Sequence, residues 1–236
     1  MGRAAESGVL AARLASAGYT GPETVLEGKF GYLEVYCREG DPALLTAGLH
    51  KEWKTLCIAM KRYALHGSAQ IPVQSLRELM AEHAFSGNDV AKVVVEGSQK
   101  LISHHNIVEP GEIMHAQYSV PFCMALALYR DPEDPRSIDA SALEDPAIRA
   151  ACRNTVELRE RPEVGNSFNA RVVVRLKDGR EFTRDADTFK GRPESPLSRA
   201  ELRRKFIFSF AGDEEAAGRL FERLEHLEAQ PRFTVA

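Results

Sequence analysis

Ala170-Arg-Val-Val-Val-Arg-Leu-Lys-Asp-Gly-Arg-Glu-Phe-Thr-Arg184 decides the fold class. Ala170, Val172, Val174 and Leu176 alternate with Arg171, Val173, Arg175 and Lys177, the period of a strand buried on one face. Asp178-Gly179 supplies the residues that a tight hairpin turn demands, and Glu181 to Arg184 returns beside the first strand. Upstream, Val90 to Glu96 is rich in β-branched residues and reads as a strand, as do Val156 with Leu158 and the segment Trp53 to Met60. Helical spacing separates these strands. Val73, Leu76, Leu79, Met80 and Ala84 lie on one helix face ended by Ser86-Gly-Asn, with a loop from Lys61 to Pro72 before it. Ala116 to Tyr129 is apolar all round and reads as a single buried helix.

The flanks are helical. Ala4, Val9, Leu10, Leu14 and Ala15 recur at helical spacing, and Gly18 closes that helix. Ala5, Ser7, Gly8, Ala11 and Ala12 make it a helix built for close neighbours, so a packing partner outside this polypeptide is expected. Thr20-Gly-Pro-Glu23 has the pattern of a capping box for a short helix through Leu26. An aromatic patch (Phe30, Tyr32, Tyr36) and a short helix from Pro42 to Gly48 follow. Ser198-Arg-Ala-Glu201 caps a helix carrying Leu202, Phe206 and Phe210, and another runs from Asp213 to Leu227. The expectation is an α+β fold: a small α+β lid domain, residues 53–190, inserted between the segments 1–52 and 191–236 of an incomplete all-helical domain.

Composition removes several functions. The 236 residues carry 31 Lys and Arg against 34 Asp and Glu, a net charge of −3, which gives no field for nucleic acid. The longest apolar run, Val120 to Tyr129, is about half of a membrane span. Cys37, Cys57, Cys123 and Cys152 form no CxxC or Cys/His cluster and read as buried free thiols of a reducing compartment. With no leader pattern at the N-terminus, the cytoplasm is the expected location.

Lys61-Arg-Tyr-Ala-Leu-His66-Gly-Ser-Ala-Gln70 is the stretch richest in chemistry. Arg62 is suited to gripping a carboxylate bidentately, Lys61 offers a compact charge, and His66 titrates near neutrality. The same residues also suit an ordinary solvated loop. His104-His105-Asn106 is a second cluster, in which one histidine is expected to face a cleft and the other solvent; a polar turn fits equally. His115 reads as a helix-start residue. No Gly-rich nucleotide loop, G-x-S-x-G elbow or H-E-x-x-H pair occurs, and no metal site is expected.

Gly2 through Pro22 resembles the helix and turn of the MmgE/PrpD family. So do Lys61-Arg-Tyr63 with Gln70, Ala116-Gln-Tyr-Ser-Val-Pro-Phe122 before an apolar helix, Asp178-Gly179, and Pro196 through Lys205-Phe206. The resemblance implies 2-methylcitrate dehydratases, cis-aconitate decarboxylases and iminodisuccinate epimerases as kin. It also implies a helical domain with an α+β lid, a site between them, a homodimer, and no metal or organic cofactor. By the same likeness Lys61 binds or protonates a small polycarboxylate, with Arg62 and Gln70 as further substrate-binding residues. His66 matches a histidine of the decarboxylase-like branch, and His104 stands where that branch has a catalytic tyrosine, two residues before Asn106. Gln70 is shared with the dehydratases, but Ser68 replaces the histidine they carry two residues earlier.

The family's other catalytic residues would precede Met1, so the chain reads as a C-terminal half. The expected activity is that of a dehydratase or decarboxylase of a polycarboxylate such as 2-methylcitrate or cis-aconitate. An epimerase of the same family is the first alternative. The second is a non-catalytic truncated or split-gene product that needs a partner chain with the N-terminal helical half.

Overall fold

A computed structural model describes residues 2–37, 41–164, 168–210 and 212–229. The chain divides into two compact units, one up to Lys54 and one from Thr55 onward.

In the first unit, α1 (Gly2–Ser16) ends at Gly18, whose φ of +88° is the left-handed conformation that glycine adopts freely. α1 buries no residue, and Val9, Leu10 and Leu14 stand exposed on it. The helix expected from Thr20 to Leu26 is instead a series of turns. α2 (Tyr32–Tyr36) and a 3-10 turn over Pro42–Leu45, capped by the Asp41 carboxylate, complete the unit.

The second unit opens differently from expectation. Trp53 to Met60 is not a strand but contains a 3-10 turn over Lys54–Cys57. A strand needs a ladder of bonds, and here the Met60 N–H reaches only the Gly191 carbonyl, at 2.7 Å. Cys57 in this turn is exposed, whereas Cys123 and Cys152 are buried and all four thiols are free. α3 (Gly67–Glu82) starts earlier than its apolar spacing suggested, with Pro72 inside it.

The sheet has four strands in the order β2-β1-β3-β4. They are β1 (Val90–Gly97), β2 (Val156–Glu160), β3 (Ala170–Leu176) and β4 (Glu181–Ala186). β3 and β4 form the hairpin read from the sequence, with Gly179 at φ +90° in its turn. β1 pairs antiparallel with β3 and parallel with β2. A parallel pair cannot be joined by a hairpin, so the chain crosses over between Ser98 and Thr155. That crossover holds α4 (Gln99–His105), α5 (Ile113–Tyr118), α6 (Val120–Tyr129), α7 (Ala140–Glu144) and α8 (Pro146–Ala150). The helix expected over 116–129 is therefore two helices. Ser119 is extended and caps α6 by accepting from the Phe122 N–H, and Pro121 has no N–H to carry the ladder of α5 onward.

The core lies between the sheet and its helices. Val93, Val95, Val172 and Val174 are sealed beneath Val73, Leu76 and Leu79 of α3, and α6 is buried from Val120 to Leu128. α9 (Arg199–Ser209) carries the Ser198/Glu201 capping box, and α10 (Glu214–Glu225) packs on it through Phe206 and Phe221, ring centres 5.6 Å apart. Among the described residues no helix is long and apolar enough to cross a membrane.

Leu126→Ala should cost about 2–5 kcal/mol in urea denaturation, because Leu126 is fully buried in α6. Leu10→Ala, on the open helix α1, should change stability by less than about 0.5 kcal/mol in the same measurement.

Candidate active site

The loop from Lys61 to His66 is held from below. Tyr63 and Leu65 are buried, and so is Gln70 on the first turns of α3. The Gln70 amide accepts from the Tyr63 N–H at 3.2 Å and donates to the carbonyls of Tyr63 and Leu65 at 3.1 and 3.3 Å. Those bonds engage Gln70 with the loop's own backbone, sealed from solvent. Above, the His66 N–H donates to the Gln117 carbonyl at 2.9 Å, and Lys61 Nζ donates to the Leu65 carbonyl at 3.2 Å.

His66 is the N-cap of α3, and its Nδ1 accepts from the Ser68 N–H at 3.2 Å. Its ring lies 4.2 Å from that of His105 and 4.5 Å from that of Tyr118, centre to centre. His105 ends α4 and is only 3% exposed. Its Nδ1 meets the Tyr118 carbonyl at 3.1 Å, so that nitrogen carries the proton. Its Nε2 is buried and has no hydrogen-bond partner among the described residues.

Both rings resist protonation. For His66 burial acts first, then the neighbouring His105, Lys61 and Lys100, all holding its pKa below the ordinary value of 6.5. Burial also leads for His105, opposed by the bond to Tyr118 and reinforced by His104 and Lys100. Lys205 of α9 adds a further cation. Burial and the nearby Lys61 hold its ammonium below the usual lysine value.

The remaining candidates stand elsewhere. His104 is exposed, with Nδ1 2.7 Å from the Ser103 hydroxyl and its ring 6.3 Å from His105. Arg62 turns away to Glu133, its Nε 2.7 Å from the carboxylate, beside Arg204 at 3.5 Å from the same group. The structure thus gathers Lys61 and His66 with His105, Tyr118 and Lys205, which sequence reasoning did not select. A signal for His105 was available: Leu101 and His105 are four residues apart on α4 and share its buried face.

A cavity of about 330 Å³ adjoins Ser68 and is lined also by Ser98, Lys100, Phe168 and Asn169. A larger one of about 420 Å³, lined by Phe122, Leu143, Arg149 and Cys152, contains none of the gathered residues. Among the described residues no three His, Cys, Asp or Glu side chains converge as a metal cluster.

Residues 63–217 match the model of the MmgE/PrpD C-terminal domain, and residues 1–45 that of the MmgE/PrpD N-terminal domain. The chain belongs to the MmgE/PrpD family. Among curated relatives, it is 29% identical over 215 residues to human cis-aconitate decarboxylase, covering 87% of this chain and 44% of that protein. It is 24% identical over 223 residues to a cis-aconitate decarboxylase-like protein of Aspergillus oryzae, covering 86% and 45% respectively. This MmgE/PrpD chain therefore spans about half the length of the curated relatives it matches.

The histidine pair sets a pH dependence. Both pKa values are lowered on folding, so below about 6.5 the unfolded chain takes up protons before the folded one. Their contribution is complete above that value and is lost as pH falls through the folded-state pKa. The urea midpoint should drop between pH 7.5 and pH 5.5, and a His66→Gln/His105→Gln double variant should show a smaller drop.

Proposed function

We propose that this chain supplies the lid-side half of a lyase site that acts on a small polycarboxylate by proton abstraction α to a carboxylate. One observation carries this reading: the His66 ring lies 4.2 Å from His105 and 4.5 Å from Tyr118, on the loop where Lys61 Nζ bonds the Leu65 carbonyl. Such a positive, partly desolvated patch is suited to hold an anion and to stabilise charge that builds on carboxylate oxygens during the reaction. Lys61 holds or neutralises a substrate carboxylate, and His66 contacts the same substrate. The names of the human and Aspergillus oryzae relatives support decarboxylation of cis-aconitate as the first reaction to test.

A second reading concerns the first unit. Val9, Leu10, Leu14, Val25 and Leu26 are exposed there. Such an apolar surface favours cover by further N-terminal-domain helices of the family before the site is complete.

The test is product analysis by proton NMR with cis-aconitate and 2-methylcitrate, using the chain alone and co-expressed with a family N-terminal domain. Turnover is expected in the complex, and Lys61→Ala should lower kcat/KM by about 100-fold. No turnover of either acid in both arms would sink the lyase reading. Full activity of the chain alone would sink the second reading.

A further inference from the structure

The surroundings of His66 define its state. We propose that His66 serves as a neutral imidazole whose Nε2–H donates to a substrate oxygen, and that His105 is the positioning residue that keeps it neutral. This inference rests on the lyase reading for its substrate, but not for the state of the ring.

The first argument is local geometry. Nδ1 of His66 accepts from the Ser68 N–H at 3.2 Å, so the proton of the neutral ring resides on Nε2. Protonating Nδ1 would set two N–H groups against each other and uncap α3, a helix of 16 residues whose N-terminal dipole also disfavours a cation. A neutral imidazole at a helix N-terminus is a hydrogen-bond donor that polarises a carbonyl or carboxylate without giving up its proton.

The second argument is the packing around the ring. From α4, His105 lies 4.2 Å away, with Lys100 and the more distant His104 on the same helix. From the loop comes Lys61, and from α5 the Tyr118 ring at 4.5 Å. Each charge in that set opposes an imidazolium. His105 itself is confined to its neutral form, since its Nδ1–H is given to the Tyr118 carbonyl and a proton on the buried Nε2 would have no acceptor among the described residues. It therefore offers His66 no counter-charge, and its ring, 4.2 Å away, desolvates that face of His66. The base that removes the α proton is then not His66, and the step assigned to it is stabilisation of negative oxygen as charge develops.

Long-range ¹H–¹⁵N correlation on the ¹⁵N-labelled full chain between pH 5 and 8 reads the ring directly. His66 should show a bare Nδ1 and a protonated Nε2 at pH 7.5, with a midpoint below 6.5. His105→Ala opens the packed face of the ring to water, so the His66 midpoint should rise while the far-UV dichroism stays unchanged, and His105→Leu, which keeps the bulk, should leave it in place. Ser68→Pro removes the amide donor at a helix position where proline is tolerated, and should give a mixture of tautomers. An Nδ1–H tautomer in the unmodified chain, or a midpoint at or above 6.5, overturns the proposal. A midpoint unmoved in His105→Ala removes His105 from it.

In the active complex, His66→Gln keeps a donor that cannot titrate. It should retain kcat/KM within about tenfold with the acid limb of the pH profile in place, whereas His66→Leu should lose about 100-fold. Equal losses in both variants, with the acid limb gone, would identify a base and overturn the proposal. An inactive complex with the Nε2–H tautomer present overturns the lyase reading and supports the assignment of the ring.

Discussion

The buried amide of Gln70 joins the fold to the site. It has three bonds to the backbone of Tyr63 and Leu65, in a place that water does not reach. A buried amide left without its partners costs more than the bonds themselves contribute, so loop and helix must form together or not at all. Lys61 and His66 ride on that loop. Their positions follow from the packing of Tyr63, Leu65 and Ile71, each almost wholly buried, and from the bonds that His66 makes to Gln117 and Ser68 and Lys61 to Leu65.

A second constraint comes from the sheet. Because β1 and β2 run parallel, the chain must leave the end of β1 at Gly97 and travel across one side before Val156. α4 starts at once, and its last residue brings His105 against His66, while α5 places Gln117 and Tyr118 over the same loop. The carboxyl end of a strand followed by a helix is where open sheets commonly hold ligands. Here the crossover supplies the wall opposite the loop, and the neighbouring cavity lies between Gly97–Leu101 and Phe168–Ala170.

How much of this was legible depended on whether one local signal sufficed. The hairpin was, because alternation and Asp178-Gly179 agree on a single answer. The Ser198/Glu201 capping box was legible for the same reason. Trp53 to Met60 failed because a strand is a statement about a partner, and no run of apolar residues names one. The early start of α3 was hidden by Gly67 and Pro72, which look like loop residues until a histidine ring is seen to cap the helix. In the site, Lys61 and His66 were visible as residue types in a loop. Arg62 was equally visible, yet Glu133, 71 positions away, turns it aside. His105 was passed over for its neighbour, although its spacing from Leu101 marked it as the inward-facing one.

The electrostatic character of the site then follows from what the core excludes. Burial depresses His66, His105 and Lys205 alike, and each is pressed further by another cation or imidazole. Such a cluster is costly to assemble in a folded chain, since like charges in a partly dry place repel strongly. Under the function proposed above, a bound polyanion would offset that repulsion with attractions of its own. It supplies Lys61 and Lys205 with counter-charge and gives the Nε2–H of His66 an acceptor. The gain would grow with each carboxylate the acid carries. A site built this way discriminates by the number of negative charges before it discriminates by shape.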